Sequence, residues 1–174
     1  MKKEFGKFLL TEEELINIEN MLNDALLVND KERNKLKYIA PGSYNVHNYS
    51  VGKFNVVNFS FENKKLVNYL SNLVNQNPDK ITTLHTMHYP QGSGIKAHKD
   101  GLATATLVII LYSSVEEGGE FYLNGEVRND FKDRGDCMFY DGGSNIHEVK
   151  EIKKGSRMAL VTWWNDNMPS TTII

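Results

Sequence analysis

The sequence predicts a mainly β protein, a sandwich or barrel of short strands, with two helices covering it from the N-terminal side. Two amphipathic patterns in the first 78 residues predict the helices, and seven or eight short apolar runs from Ile81 onward predict the strands. Glycine, proline and asparagine separate these runs, as is typical of tight turns. No repeat of about 20–50 residues and no interdomain linker is evident, so residues 1–174 are expected to form one domain.

The first helix begins at a capping box. Thr11 and Glu14 have the spacing at which a threonine hydroxyl and a glutamate carboxylate satisfy each other's free backbone amides. Apolar residues then recur at helical intervals up to about Val28, and these are Leu15, Ile18, Leu22, Ala25 and Leu26. The pattern predicts one helix with a single buried face.

The second helix is predicted from about Glu62 to Asn77, where Pro78 ends it. Its apolar face consists of Leu66, Val67, Leu70, Leu73 and Val74. The segment between the helices, Tyr38–Ser60, is rich in Tyr, Asn, Val and Gly, and it is interpreted as short strands with an irregular loop.

Strands dominate the chain from Ile81 onward. The continuous aliphatic run Leu107–Tyr112 has the length of a buried strand, and Asn124-Gly125 predicts a hairpin turn between Glu120–Leu123 and Glu126-Val127. The other predicted strands are Ile81–Tyr89, Cys137–Tyr140, His147–Ile152 and Arg157–Trp164.

The composition excludes several classes of protein. The 20 basic and 22 acidic residues give a formal charge of −2, which provides no overall attraction to nucleic acid or anionic membranes. The single cysteine, Cys137, excludes an internal disulfide framework and a cysteine-based zinc site. No apolar run reaches the ~18 residues needed to span a membrane, and Met1–Lys7 lacks the apolar core of a signal peptide. We therefore expect a cytoplasmic protein.

Two side chains able to bind a metal ion lie close together in His98-Lys99-Asp100. Residues two apart on a strand point to the same side, so His98 and Asp100 can converge on one point. His147, at the predicted start of a later strand, could supply a third ligand. Two imidazoles and one carboxylate form the facial triad of non-haem Fe(II) oxygenases, although an isolated His-x-Asp pair is a weak signal.

Arg157 follows the turn at Gly155 and begins the apolar strand that runs to Trp164. Such an arginine is either an exposed charge at the rim of the sheet or a fork that binds a carboxylate through two hydrogen bonds. This pattern alone leaves both interpretations open.

From Tyr89 to Trp164 the chain resembles the Fe(II)- and 2-oxoglutarate-dependent dioxygenases, most closely the prolyl 4-hydroxylase-like branch. The matching segments keep the family order over about 75–85 residues, and the resemblance does not extend to the N-terminal half. These segments are Tyr89 before a Gly-rich turn, His98-x-Asp100, Leu107–Leu111, Val115–Glu120, Gly135–Tyr140, His147-Glu148-Val149, and Gly155–Leu160 with Trp163-Trp164.

The resemblance implies a double-stranded β-helix, a cupin-like jelly roll, with N-terminal helices packed on one sheet. The helical cover would span about 8–78 and the catalytic β-helix about 79–166. It further implies that His98, Asp100 and His147 bind Fe(II), while Arg157 pairs with the distal carboxylate of 2-oxoglutarate and Tyr89 offers its hydroxyl to this cosubstrate. Dioxygen is then the oxidant, and ascorbate is a further candidate cofactor.

One position departs from the family pattern. Close relatives often carry a second tyrosine where this chain has Leu111, and Tyr112 is one residue out of register, so it would face the other side of the strand. Cosubstrate binding is therefore expected to depend more on Tyr89 and Arg157. The retained Asp100 argues against halogenation, because related halogenases replace this carboxylate with a small residue.

We expect a dioxygenase that hydroxylates an aliphatic C–H bond and releases succinate and CO2, with a prolyl residue of a protein or peptide as the favoured substrate. A free amino acid, another small molecule and an alkylated nucleic-acid base are alternatives within the same chemistry. Trp163 counts against the last, because nucleic-acid demethylases of this superfamily usually carry a second arginine at that position. A non-catalytic jelly-roll binding module is the alternative of a different class.

Three further histidines have less specific patterns. His85 shares a strand face with Met87 and Tyr89 and could line a pocket, whereas His88 faces the other side. An ordinary hydrogen-bonded histidine is the favoured interpretation of both, and His47 is expected at the surface. Of the two C-terminal tryptophans, one is expected in the core and the other in the pocket wall.

Overall fold

The computed structural model describes residues 4–25, 46–49 and 52–168. Within these ranges the chain forms α1 (Glu12–Asp24), α2 (Lys64–Leu73), a short 3-10 helix (Pro78–Lys80) and a set of β-strands. The strands are β1 (Gly6–Leu9), β2 (Val46–Tyr49), β3 (Gly52–Asn58), β4 (Ile81–Tyr89), β5 (Gly94–His98), β6 (Ala105–Ser113), β7 (Glu117–Gly118), β8 (Phe121–Leu123), β9 (Glu126–Val127), β10 (Asp136–Tyr140), β11 (His147–Val149), β12 (Ile152–Lys154) and β13 (Arg157–Trp164). The predicted helix end at 26–28, the loop at 38–45 and the side chain of His47 lie outside the described part.

The capping box at the start of α1 is confirmed. The Thr11 hydroxyl accepts a hydrogen bond from the Glu14 amide at 3.1 Å, and the Thr11 amide donates to the Glu14 carboxylate at 3.1 Å. Leu15, Ile18 and Leu22 are buried, as the periodicity predicts. Within the described residues the helix ends at Asp24, because Ala25 is extended.

The second helix ends earlier than predicted. Asn75 has a φ of 57°, the left-handed conformation that commonly ends helices, so α2 stops at Leu73 and not at Asn77. The Gln76 amide then donates to the Ser71 carbonyl at 2.8 Å. Pro78 begins the 3-10 helix that leads directly into β4.

The strands form a double-stranded β-helix. One continuous sheet has the order β1-β10-β6-β13-β4-β3-β5-β11-β8-β9, with β2 paired to β3, and β7 pairs with β12 in a separate two-stranded sheet. The central pair, β4 and β13, is antiparallel, with Arg157 opposite Tyr89 at one end and Trp164 opposite Ile81 at the other. Strands that are distant in this order face a shared interior, since Ile110 of β6 and Phe121 of β8 pack in one hydrophobic cluster.

Alternate residues of β6 face two different interiors. Leu107, Ile109 and Leu111 pack in the main hydrophobic core with the buried faces of α1 and α2. Val108 and Ile110 point to the opposite side and line a cavity. The helices therefore cover one face of the sheet, as predicted, and leave the other face to form a site.

Several strands differ from the sequence prediction, among them β5 and β7, which were not predicted as strands. Gly6–Leu9 was not predicted as a strand, yet it pairs with β10, with Gly6 opposite Phe139. The predicted strand His147–Ile152 is divided into β11 and β12, which join different sheets. No helix in the described ranges is both long enough and apolar enough to cross a membrane.

Candidate active site

A cavity of about 240 Å³ lies inside the β-helix, on the face of the sheet that the helices leave free. Aliphatic and aromatic side chains from β3, β4, β6, β8, β10, β11 and β13 form most of its wall. Among the described residues that line it, Arg157 is the one fixed cation and Asp100 the one carboxylate. Such an apolar pocket with a few convergent polar groups is typical of a small-molecule or catalytic site.

The cavity brings together His98, Asp100 and His147. One side-chain ligand atom of each lies within 4.8 Å of the others. Asp100 Oδ1 is 3.1 Å from His147 Nε2 and 3.5 Å from His98 Nε2, and the two imidazole rings are 4.3 Å apart between centroids. This is the trio of side chains that the sequence pattern singled out.

Strand alternation was expected to bring His98 and Asp100 together, but only His98 lies on a strand. His98 and His147 are cross-strand partners at the end of β5 and the start of β11. Asp100, however, lies beyond β5, in a turn where its amide donates to the Gly142 carbonyl at 2.8 Å and its carbonyl accepts from Ala103 at 3.1 Å. The turn, and not strand alternation, directs the carboxylate to the imidazoles.

Each of the three side chains has its far side fixed by a neighbour. His98 Nδ1 lies 2.7 Å from the Lys96 carbonyl, His147 Nδ1 lies 3.0 Å from the Asn145 carbonyl, and the Thr106 hydroxyl donates to Asp100 Oδ2 at 2.9 Å. A carbonyl can only accept, so each Nδ1 carries a proton and each neutral ring presents the lone pair of its Nε2. Such outer contacts orient metal-binding imidazoles.

The charges of the trio suit a bound cation. Burial alone would raise the pKa of Asp100, but hydrogen bonds from His147 and His98 outweigh it and hold this pKa well below its usual range. Such hydrogen bonds need a proton on each Nε2. In neutral rings that carry their proton on Nδ1, the Nε2 lone pairs repel the carboxylate oxygen unless a cation takes the place of those protons. Two nitrogens and one oxygen on one side are the donor set that non-haem Fe(II) oxygenases use, so the residues fit a divalent first-row ion such as iron.

Arg157 and Tyr89 close one end of the cavity. Their exposed fractions are 4% and 5%, so Arg157 belongs to the cavity wall and its interpretation as a rim charge is wrong. Its Nη1 donates to the Gly119 carbonyl at 2.7 Å, and its buried Nε has no hydrogen-bond partner among the described residues. Burial lowers the pKa of Arg157 and raises that of Tyr89. An anion at this end would satisfy both groups.

The second tyrosine of the site comes from β10, a predicted strand in which no site residue was expected. Leu111 packs in the helix-covered core, and Tyr112 is 40% exposed and does not line the cavity. Tyr140, at the end of β10, is buried in the cavity wall, with its ring 5.0 Å from that of His147. Its place at the end of an apolar strand was the available signal, but the pattern there does not separate a core tyrosine from a site tyrosine.

His85 and Trp163 form part of the wall at the other end of the β4–β13 pair. Their rings meet edge to face at 6.2 Å, and the buried atoms His85 Nε2 and Trp163 Nε1 have no hydrogen-bond partner among the described residues. The interpretation of His85 as an ordinary hydrogen-bonded histidine is therefore wrong. Trp164 lies in the core and donates to Ser71 Oγ at 3.0 Å, so the two tryptophans divide as predicted.

Two glycines allow the backbone to pack closely against the Asp100 turn. A Cβ at Gly142 would lie 2.2 Å from both Asp100 Oδ2 and Thr106 Oγ1. A Cβ at Gly143 would lie 2.2 Å from the Ala103 carbonyl oxygen. Both positions lie in the segment that approaches the Asp100 turn, so only residues without a side chain fit there.

Residues 84–165 match the family model described as the 2OG-Fe(II) oxygenase superfamily. The matched range contains the His98, Asp100 and His147 trio together with Tyr89 and Arg157. No curated protein matches the chain.

Several solved structures share the fold. An oxidoreductase of the 2OG-Fe(II) oxygenase family from Burkholderia pseudomallei aligns at a TM-score of 0.62 and 14% identity, over 95% of this chain and 87% of that one. A prolyl-4-hydroxylase from Pseudomonas putida aligns at 0.58 and 14%, over 92% and 91%. A prolyl hydroxylase from Trichoplax adhaerens, in complex with a peptide fragment of the hypoxia inducible factor oxygen degradation domain, aligns at 0.56 and 17%, over 93% and 83%.

Proposed function

We propose that this chain, which belongs to the 2OG-Fe(II) oxygenase superfamily, is a 2-oxoglutarate-dependent dioxygenase whose substrate is a prolyl residue of a protein or peptide. The observation that carries the proposal is the placement of three potential metal ligands and the Arg157–Tyr89 pair in one cavity. The prolyl substrate is supported by the prolyl hydroxylases among the similar folds, one of which holds a peptide.

In this proposal His98, Asp100 and His147 hold Fe(II). Arg157 pairs with the distal carboxylate of 2-oxoglutarate, and the Tyr89 hydroxyl donates to the same cosubstrate. When bound, iron and 2-oxoglutarate supply the oxidising chemistry, in which O2 is consumed, 2-oxoglutarate is converted to succinate and CO2, and a substrate C–H becomes C–OH.

The protein's own residues position and shield these groups. Thr106 and the carbonyls of Lys96 and Asn145 keep the three ligand side chains in one orientation. The buried guanidinium of Arg157 offers a charged hydrogen bond in an environment of low dielectric, where such a bond is stronger than in water. The apolar wall keeps bulk water away from the reacting groups.

The test is turnover with a defined peptide. Protein loaded with Fe(II) is incubated with 2-oxoglutarate, O2 and a library of blocked proline-containing peptides, with and without ascorbate. We expect peptide-dependent succinate release and a mass increase of one oxygen atom on proline. Hydroxylation confined to other residues would contradict the prolyl assignment, and an absence of any 2-oxoglutarate turnover would contradict the assigned roles of the site residues.

The Asp100→Ala variant is the negative control for this assay, because it removes the one carboxylate among the ligands. A matched control is Asp130→Ala, which removes a surface carboxylate that pairs with Arg128. The first variant is expected to abolish succinate release and the second to leave it unchanged.

A further inference from the structure

The cavity has two chemically different ends along the antiparallel pair of β4 and β13. At one end lie Arg157 and Tyr89, both at least 95% buried. Four residues along β4, and so ~13 Å away at the spacing of an extended strand, lies His85, next to Trp163. We call the Arg157 end closed because these two side chains are buried, and the His85 end open because it includes the exposed side chain of Asn58.

His85 has one polar and one apolar cross-strand partner at this open end. Its cross-strand partners are Asn58 on β3 and Val161 on β13, and all three line the cavity. Trp163 is opposite Thr106 in the register of β13 and β6, and Thr106 donates to Asp100. The open end therefore adjoins the three proposed metal ligands, His98, Asp100 and His147 (the ligand trio), on the side of the Asp100 carboxylate.

The unpartnered nitrogen of His85 needs an explanation. Nε2 is buried without a hydrogen-bond partner among the described residues. Such atoms cost free energy, and native structures retain few of them. Burial lowers the pKa of His85 to about 4, so the ring is neutral at pH 7. A neutral imidazole provides one donor and one acceptor, and it hydrogen-bonds uncharged groups such as amides.

The charges of the cavity limit what can occupy this end. The proposed function assigns Arg157 to the cosubstrate and Asp100 to the metal, and no other fixed charge is present among the described lining residues. A zwitterionic free amino acid would therefore bring a carboxylate and an ammonium group with no ion partner in the wall. Burying an unpaired charge is far more costly than burying an amide that is hydrogen-bonded.

We infer that His85 is a specificity-determining residue, whose Nε2 hydrogen-bonds an amide group of the substrate and so selects a residue within a peptide over the free amino acid. This inference rests on the proposed function of the Arg157–Tyr89 end and of the ligand trio. It concerns the form in which the substrate enters and is independent of whether the modified residue is proline.

The experiment compares two forms of each of several amino acids, proline included. Each is supplied to the iron-loaded enzyme with 2-oxoglutarate in one of two forms. It is either the free zwitterion or the middle residue Xaa of the blocked peptide acetyl-Gly-Xaa-Gly-amide. Binding is measured by calorimetry under anaerobic conditions, and turnover by succinate release. We expect only the blocked forms to bind and to stimulate turnover.

Variants of His85 test the residue itself. His85→Leu removes the hydrogen bond at similar volume, and we expect it to raise KM for the best blocked peptide about tenfold, the size of one lost hydrogen bond. KM for 2-oxoglutarate, which the proposed function places at the Arg157 end, should rise much less than KM for the peptide. His85→Gln, which keeps a donor and an acceptor, should restore KM to within about threefold of the wild type.

His88→Leu is the matched control, because His88 is buried on the same strand but does not line the cavity. Its KM for the peptide should equal that of the wild type. The inference is overturned if the free amino acids bind as well as the blocked forms, if no blocked form binds, or if His85→Leu leaves KM unchanged. If the preferred blocked residue is not proline, the prolyl assignment fails while the inference about His85 stands.

Discussion

Tyr89 and Arg157 are direct cross-strand partners, the last residue of β4 opposite the first residue of β13, and both side chains are buried. A buried guanidinium that donates only to the Gly119 carbonyl, among the described residues, keeps most of its hydrogen-bonding capacity for a ligand. The strand register thus places a cation and a phenol at the same closed end of the cavity.

Replacing Arg157 should weaken cosubstrate binding. Because a hydrogen bond to a charged group contributes about 1.5–3 kcal/mol, we expect Arg157→Leu to raise KM for 2-oxoglutarate about 10- to 100-fold. The measurement is succinate release at varied 2-oxoglutarate. Arg128→Leu, which removes a partly exposed cation paired with Asp130, should leave KM unchanged. An equal rise in both variants would indicate a general effect of lost positive charge.

Removing one member of the ligand trio should abolish metal binding. His147→Ala takes away a nitrogen whose orientation is fixed by the Asn145 carbonyl, leaving two of the three proposed ligands. We expect the stoichiometric binding of Mn²⁺, used as an oxygen-stable substitute for Fe(II), to be lost in calorimetry. His88→Leu serves as the control for the loss of a buried histidine. Retention of one tightly bound Mn²⁺ in His147→Ala would remove that residue from the site.

A single methyl group at Gly142 should disturb the metal site. The Cβ of Gly142→Ala would lie 2.2 Å from Asp100 Oδ2, so the carboxylate must move away from the two imidazoles. We expect the affinity for Mn²⁺ to fall by at least about tenfold, in the range seen when outer contacts of metal ligands are lost.

The control for Gly142 is Gly125→Ala, in the hairpin turn between β8 and β9. Its Cβ would meet nothing within 4 Å, but its φ of 80° disfavours a side chain. This variant should lower the free energy of unfolding by about 1 kcal/mol and leave metal affinity unchanged. Equal metal affinities in the two variants would contradict the steric role of Gly142.

Acid should destabilise the fold through His88. Burial lowers the pKa of His88 to about 4 from an ordinary value of 6.5. Between these values the unfolded chain binds a proton that the folded chain does not, so the free energy of unfolding falls as the pH falls. We expect His88→Gln to reduce the decrease between pH 7 and pH 5 by about 1–2 kcal/mol, measured by urea unfolding of the metal-free protein. An unchanged decrease would mean that His88 does not resist protonation.

The sequence predicts those parts of the fold that local patterns determine. The capping box at Thr11 and the alternation in β4 and β13 are local, and the structure has them where the patterns place them. The short strand Gly6–Leu9 was missed, because it is stabilised by pairing with the distant Cys137–Phe139 segment and not by its own composition.

In the site, too, some residues can be predicted from local motifs and others depend on distant contacts. The ligand trio and Arg157 follow from motifs, although their binding roles stay predictions that the experiments above test. Tyr140 was missed, because nothing local distinguishes it from a core residue, and its contact with His147 depends on how β10 and β11 face each other in the β-helix. The role of such a residue depends on contacts with residues that are distant in the sequence.

The closed Arg157 end and the open His85 end have a kinetic consequence. If the cosubstrate occupies the inner end, it must enter before the peptide covers the mouth, and succinate can leave only after the modified peptide has gone. Catalysis would then follow a compulsory order of addition and release. Excess peptide would slow the enzyme by occupying the mouth before the cosubstrate has entered.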